Sequence, residues 1–479
     1  MSIKNIFKYI FGYIGVFFVT LGCTSTYWAF SSFAFVSIDE TLFQMTTPIG
    51  NASTNILDSL IYHNFLIAFI ISIIIYIILI FVFKKVKHKN RLLISLIIIS
   101  ICLITFCLYK IGFLNHVYNT FTYSNFIDKN YVDPKNVKIT FPEENKNLIY
   151  IYVESYESTY FSKDLGGGSK NNYLEPLTEL TNNNINFSDT KKFGGTTMVP
   201  GTTWTTGATV AQNTGLPLKV RFDFNNRNSN MLDKAYSLGD ILTDNGYNQM
   251  YMIGSDKSFG NRDTFFNNHG NYQIYDIDTA KEKGKLDKDY HVWWGYEDSK
   301  LFEFAKEEIL NLSKEDKPFN FTMLTSDTHH IGGYLEKDCK KRFKDNYNNV
   351  IYCNALQIND FVSWIQKQDF YENTVIIIVG DHVSMQPNLY PDGTNRKAYN
   401  LFINSQVEPV NTNNRSFTNM DLFPTTLASL GVEIEGDKLG LGTNLFSDKK
   451  TLLEEYGYKK FVKEIDKNSK YYKNNFEKQ

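Results

Sequence analysis

Between residues 10 and 109 the chain carries three apolar stretches, and no other feature narrows its possible folds as far. They run from Ile10 to Val36, from Phe65 to Phe83 and from Leu92 to Tyr109. The second and third hold no charged residue over about 18 positions, close to the roughly 20 a helix needs to cross a bilayer. A single run of this kind suits a buried core helix, but three in close succession do not fit an ordinary soluble core. The first is long for a secretory leader and has no A-x-A-like cleavage site. These stretches predict a membrane domain over 1–113 with three transmembrane helices.

Basic residues set the expected orientation. "KKVKHKNR", Lys84 to Arg91, joins the second and third stretches, and Lys4 and Lys8 precede or begin the first. The segment 37–64 has neither Lys nor Arg. Positive charge stays on the cytoplasmic side, so the N-terminus and the 84–91 loop are expected inside. Three crossings then place everything beyond residue 113 outside the cytoplasm, in a multi-pass protein of the cytoplasmic membrane.

The remainder reads as a soluble protein. The formal net charge of −2 over 479 residues supplies no basic footprint for nucleic acid. A polar stretch over 114–145, interrupted by "VDPKN" and "FPEEN", reads as a linker to a domain over 146–479. Cys339 and Cys353 are the two cysteines outside the apolar stretches. In an oxidising compartment such a pair is expected to form a disulfide.

Runs rich in β-branched and aromatic residues recur through the outer part: "NLIYIYV", "NQMYMI", "FNFTML", "TVIIIVG" and "AYNLFI". Each is short and apolar throughout, the mark of a strand buried on both faces. Segments with helical periodicity lie between them, among them "SKLFEFAKEEILNLSK" and "CNALQINDFVSWIQKQ". The alternation predicts an α/β fold with a mostly parallel sheet flanked by helices.

Ligands of such sheets bind beyond the carboxyl ends of the strands. There the sequence puts Glu154, then Ser255 and Asp256, then Asp327, His329 and His330, then Asp381 and His382. Carboxylates and imidazoles together are donors suited to Zn²⁺ or Mn²⁺. Residues 200–215, "PGTTWTTGATVAQNTG", add six threonines in a non-alternating, glycine-containing run. A neutral hydroxyl is a poor nucleophile, and a divalent ion is one of the few means of activating it. A threonine near a metal is therefore a candidate for the attacking oxygen, while hydroxyls that only satisfy a loop backbone are the plain alternative.

"VESYES", "PGTTWTTGATVAQNTGLPL", "LTSDTHH" and "VIIIVGDHVSM", in this order, resemble the membrane phosphoglycerol transferases of the MdoB type. These group with lipoteichoic acid synthases and phosphoethanolamine transferases in the alkaline phosphatase/sulfatase superfamily. The resemblance extends over about 145–450, through "WWGYEDSKLF" and "TNMDLFPTTLASLGV". It implies an alkaline phosphatase/sulfatase-like catalytic domain in which Glu154, Asp381 and His382 hold one divalent ion, Mn²⁺ or Zn²⁺ with Mg²⁺ as a further option. It implies Thr205 as nucleophile and fourth metal ligand, with Thr202, Thr203 and Thr206 as competitors. It also implies Arg262 and His329 at the substrate phosphate, Asp256 as another substrate contact, and a lesser claim for His330.

The reaction so implied moves a phosphoglycerol group from a phospholipid, such as phosphatidylglycerol, to an extracytoplasmic glycan through a phospho-threonine intermediate. A phosphoethanolamine transferase would use the same core, and an inactive metal-binding membrane protein is the reading from another class. No C/S-x-P-x-R sequence lies in the threonine-rich loop, which weighs against sulfate ester hydrolysis.

Overall fold

The structure, a computed structural model, describes residues 3–35, 37–48, 58–220, 230–391 and 393–477. It divides into two compact units. The first comprises 1–38, 53–118 and 386–389, and the second comprises 39–52, 119–385 and 390–479.

The first unit is built on helices α1 (Ile3–Ser32), α3 (Leu66–Lys85) and α4 (Lys89–Lys110); α2 (Ile38–Thr46) falls largely in the second unit. Among the described residues, three helical spans are long and apolar enough to cross a membrane: Ile6–Ser32, Ser59–Lys85 and Lys89–Lys110. Polar pairs tie α1 to the second span. Tyr76 Oη donates to the Tyr9 carbonyl at 2.6 Å, and Asn64 Nδ2 donates to Ser25 Oγ at 2.8 Å. Ile74, Ile77 and Ile78 on α3, with Ile97, Ile98 and Ile101 on α4, point outward and exposed. In water that surface would be unfavourable, and in hydrocarbon it costs nothing.

The second unit centres on a seven-stranded sheet. Its strands are β1 (Asn147–Val153), β2 (Gly195–Thr196), β3 (Asn248–Ile253), β4 (Gln273–Tyr275), β5 (Phe319–Leu324), β6 (Thr374–Gly380) and β7 (Ala398–Ile403). The spatial order is β2-β7-β6-β1-β5-β3-β4. β6, β1, β5, β3 and β4 run parallel, and β7 and β2 close one edge antiparallel. The five strands expected from the sequence are β1, β3, β5, β6 and β7, and every residue of β1, β5, β6 and β7 is buried.

Helices cover the sheet as their periodicity requires. Helix α5 (Thr205–Thr214) is followed by α6 (Asp298–Leu312) and α7 (Asn346–Ile365). Leu301, Ala305 and Ile309 form the buried stripe of α6, and Ile351, Ala355, Ile358 and Val362 that of α7. The rings of Phe302 and Phe361 meet at 5.0 Å where the two pack. The stretch after residue 119 lies on this unit: Phe126 packs on Tyr456 and Phe461, and Ile139 pairs with Ile434. Cys339 and Cys353 are bonded across 14 residues, tying the loop after β5 to α7. A loop of that size stabilises by about 3 kcal/mol in the chain-entropy view.

Candidate active site

Because β1, β3, β5 and β6 are parallel, their carboxyl ends share one rim, and the polar residues of the strand ends gather there. Glu154 follows β1 directly. The next residue, Ser155, sits at φ +55°, a conformation that L-residues seldom adopt and that marks a constrained turn. That turn aims the Ser155 N–H at Asp381 Oδ1 (2.8 Å) and its hydroxyl at Glu154 Oε1 (2.6 Å). Gly380, which ends β6, lies so close to this turn that a Cβ would fall 1.9 Å from the Tyr156 carbonyl oxygen. The Gly of "GDH" is thus a packing requirement of the turn that sets Asp381 and His382 on the rim.

Glu154, Asp381 and His382 are buried, and one donor atom of each lies within 4.8 Å of the others. His382 Nε2 stands 3.5 Å from Glu154 Oε1 and 3.4 Å from Asp381 Oδ2. His382 Nδ1 faces the Val383 carbonyl at 2.9 Å, which leaves Nε2 for the cluster. Asp381 Oδ1 accepts from the His382 N–H at 2.7 Å, while Oδ2 is buried with no hydrogen-bond donor.

The three groups shift one another's protonation. Burial, then the neighbouring Glu154 charge, push Asp381 up to about 7. Burial works against a charge on His382, but Asp381 and Glu154 raise it to about 9. Burial likewise opposes the Glu154 charge, yet His329, His382 and hydrogen bonds from Ser155 and Thr205 hold it below its ordinary value. Two carboxylates and an imidazole crowded together, one carboxylate oxygen lacking a donor, fit a divalent ion.

Thr205 is the first residue of α5. Its Oγ1 donates to Glu154 Oε2 at 3.1 Å and lies 3.5 Å from His382 Nε2. The neighbouring hydroxyls are engaged elsewhere. Thr202 Oγ1 donates to the Val199 carbonyl at 2.9 Å, and Thr206 Oγ1 to the Gly260 carbonyl at 3.3 Å. Thr203 is half-buried, with no contact to the cluster among the described hydrogen bonds. The N-cap of α5 is Trp204, whose side chain does not cap, so the first N–H groups of the helix are left for an anion.

Arg262 and His329 approach from β3 and β5. Arg262 is buried, and its Nη2 donates to Ser255 Oγ (3.1 Å) and to the Asp256 carbonyl (3.3 Å). Its Nε is buried with no partner, and its guanidinium lies over the Phe259 ring at 5.0 Å. The His329 ring lies against Trp294, tilted at 50° with centroids 4.2 Å apart, and burial holds its imidazole below the ordinary value, partly countered by Glu154. The Asp256 carboxylate turns instead to the Ser258 N–H and hydroxyl, both at 2.8 Å, so its carbonyl, not its carboxylate, positions Arg262. His330 is buried, and its carbonyl faces His329 Nδ1 at 2.5 Å.

Several residues at the site carry no signal in the sequence. Asn419 donates from Nδ2 to the Asp381 carbonyl (3.1 Å) and the Thr202 carbonyl (3.5 Å), joining the Asp381 loop to the threonine loop. Phe43, on α2, is fully buried with its ring 5.9 Å from Trp204, and the Gly260 N–H donates to the Pro48 carbonyl at 3.1 Å. This segment therefore wedges between the start of α5 and the Arg262 loop. Glu40, one turn before Phe43, feels both His382 and Glu154; burial, moderated by His382, raises its carboxyl to about 8.

A sulfatase family model matches residues 146–432. The chain is 30% identical over 317 residues to Phosphoglycerol transferase I of Xanthomonas campestris pv. campestris (strain B100), covering 64% of this chain and 43% of that protein. It is 30% identical over 271 residues to Phosphoglycerol transferase I of Citrobacter koseri, covering 55% of this chain and 34% of that protein. The chain thus spans less than half the length of these curated relatives. Among solved structures it is similar to the lipoteichoic acid synthase LtaP from Listeria monocytogenes, with a TM-score of 0.50 at 17% identity over 68% of this chain and 82% of that chain. It is also similar to the lipooligosaccharide phosphoethanolamine transferase A (EptA) from Neisseria meningitidis, with a TM-score of 0.51 at 12% identity over 88% of this chain and 84% of that chain. At such identities the two structures speak to the fold alone. The chain belongs to the sulfatase family of the alkaline phosphatase superfamily.

Proposed function

We propose that the protein is a metal-dependent phosphoglycerol transferase of the extracytoplasmic membrane face, taking its group from a phospholipid and giving it to a glycan. The observation that carries this reading is the Thr205 hydroxyl, set on Glu154 and His382 at the N-terminus of a helix. The curated relatives named phosphoglycerol transferase support it.

Glu154, Asp381, His382 and Thr205 would hold one divalent ion, Mn²⁺ or Zn²⁺ with Mg²⁺ as a further option. When bound, such an ion lowers the pKa of a coordinated hydroxyl and neutralises charge on a transferring phosphoryl group. The chain's own residues do the rest. Thr205 Oγ attacks the phosphorus of phosphatidylglycerol, the Oγ–P bond forms, and the bond to the diacylglycerol oxygen breaks. The threonine proton leaves by way of Glu154 Oε2, its hydrogen-bond partner, and the released diacylglycerol takes up a proton. A glycan hydroxyl then attacks the same phosphorus, the P–Oγ bond breaks, and a proton returns to Thr205. Arg262 and the first N–H groups of α5 bind the phosphate oxygens, and His329 faces the substrate from the β5 side. Phosphoryl transfer rests mainly on such positioning and charge.

Incubating the purified full chain with vesicles of phosphatidylglycerol or of phosphatidylethanolamine separates the two donor readings. Diacylglycerol release from the first and not the second is the expected result; the reverse would make the protein a phosphoethanolamine transferase.

The three helical spans and the lysine and arginine distribution support a membrane part over 1–113, joined through 114–145 to a catalytic part over 146–479 outside the cytoplasm. A reporter active only outside the cytoplasm, fused after residue 115, is expected to be active. Activity of a strictly cytoplasmic reporter at that position would reverse the orientation and cut the site off from an outer-leaflet donor.

A further inference from the structure

The rim around Thr205 has two sides. Arg262 and His329 occupy the β3 and β5 side. On the opposite side, where β7 and β2 close the sheet, lies a cleft of about 1060 Å³ that the reaction as described does not use. Its walls come from segments that lead straight to the centre. Val383 follows His382, Met198 precedes the threonine loop, and Ser416 lies three residues before Asn419. A bridge between Thr197 and Thr418 fastens two of these segments together.

Three basic groups of this cleft are paired within the protein, and Lys450 and Asp448 line it as well. Lys397 meets Asp189 at 3.3 Å and donates to Thr197 Oγ1 at 2.6 Å. Arg415 meets Glu454 at 3.0 Å and donates to the carbonyls of Leu445, Ser447 and Lys449. Arg396 is held by both oxygens of Glu157. Basic groups so neutralised are poor hosts for a further phosphate, whereas paired ions and amides still offer hydrogen bonds to hydroxyl groups. Two exposed apolar surfaces stand in the same cleft: the Tyr458 ring, 54% exposed, and Val410, 70% exposed. A sugar ring has this double character, with hydroxyls around its edge and apolar C–H faces, and an aromatic ring beside amides suits it.

We propose that this cleft is the acceptor subsite and that its ligand is an uncharged glycan, stacked on Tyr458 and hydrogen-bonded by Asn414 and the Asp189–Lys397 pair. The proposal rests on the transfer reading above and adds the place and the charge class of its acceptor. In it, the donor lipid brings its phosphate to Thr205 from the Arg262 side, and the glycan hydroxyl then reaches the phosphorus from the β7 side.

Two half-reactions distinguish the two readings. Diacylglycerol release without acceptor is measured on the purified chain in phosphatidylglycerol vesicles. Transfer is measured in cells fed labelled glycerol, as label in the neutral-glycan backbone fraction of the envelope. Tyr458→Ala and Asn414→Gly (glycine tolerates the φ of +55° at that position) are expected to lower glycan labelling about tenfold or more. Diacylglycerol release should stay within about twofold of the wild type, because the first half-reaction does not involve the acceptor. Tyr458→Phe, which keeps the ring, should restore labelling. Unchanged labelling in both variants would overturn the proposal, as would an equal loss of both half-reactions. Absence of diacylglycerol release from the wild type would reject the transfer reading itself, and the acceptor cleft with it.

Discussion

Thr205→Ala is expected to lower diacylglycerol release and transfer by at least about a thousandfold, because the substitution removes the attacking oxygen and nothing adjacent can replace it. The hydroxyls of Thr202 and Thr206 are bonded to the carbonyls of Val199 and Gly260 and face away from the Glu154–His382 pair. Folding should be almost unaffected. Ala is a good helix former at the first position of α5, and what is lost is the hydrogen bond to Glu154 and the longer contact to His382, together worth about 2 kcal/mol. Thr205→Ser, which keeps an oxygen in place, should retain part of the activity. Near wild-type turnover in Thr205→Ala, with thermal melting confirming a folded protein, would contradict the assignment.

The second large effect concerns the metal. Asp381→Asn and His382→Ala should each weaken divalent-metal binding by at least about a hundredfold, since each removes a donor directed at the same point. Asn at 381 can still accept from the Ser155 and His382 N–H groups, now bonded to Oδ1, so the turn should hold and the loss should be confined to the metal. Metal content after dialysis against a weak chelator, followed by titration with Zn²⁺ and Mn²⁺, reads this without recourse to activity. A variant that retains stoichiometric metal at wild-type affinity would remove that residue from the ligand set.

The parts of this site that could be read from the sequence are those that local physics determines. Strands buried on both faces write themselves as apolar β-branched runs, so β1, β5, β6 and β7 stand out, and with them the polar residues at their ends. β2 could not be seen in this way. It is two residues long, and only its antiparallel pairing with β7 makes it a strand. The start of α5 was hidden as well: its N-cap is Trp204, while the surrounding threonines offer several competing capping positions. Which threonine faces Glu154 and His382 is a consequence of where that helix begins, and only the family resemblance singles out Thr205.

Long-range contacts account for the rest. Phe43 meets Trp204 across 161 positions of the chain, and no periodicity in "IDETLFQMT" records that meeting. Asn419 reaches Asp381 and Thr202 from a short helical turn whose sequence, "NMD", advertises only its cap. For Asp256, which the resemblance implies as a substrate contact, one carboxylate oxygen accepts from the Ser258 N–H and hydroxyl, a two-residue turn that short acidic side chains often make. The cluster of Glu154, Asp381 and His382 is therefore more legible in the sequence than the residues that hold it in place.

The most direct test of the account is the site of covalent attachment. The full chain is incubated with phosphatidylglycerol and no acceptor, quenched in acid, digested, and its peptides mapped by mass spectrometry. A phosphoglycerol adduct on Thr205, absent from Thr205→Ala and lost on addition of acceptor glycan, is the predicted result. An adduct on Thr202, Thr203 or Thr206, or turnover with no protein adduct at all, would contradict it.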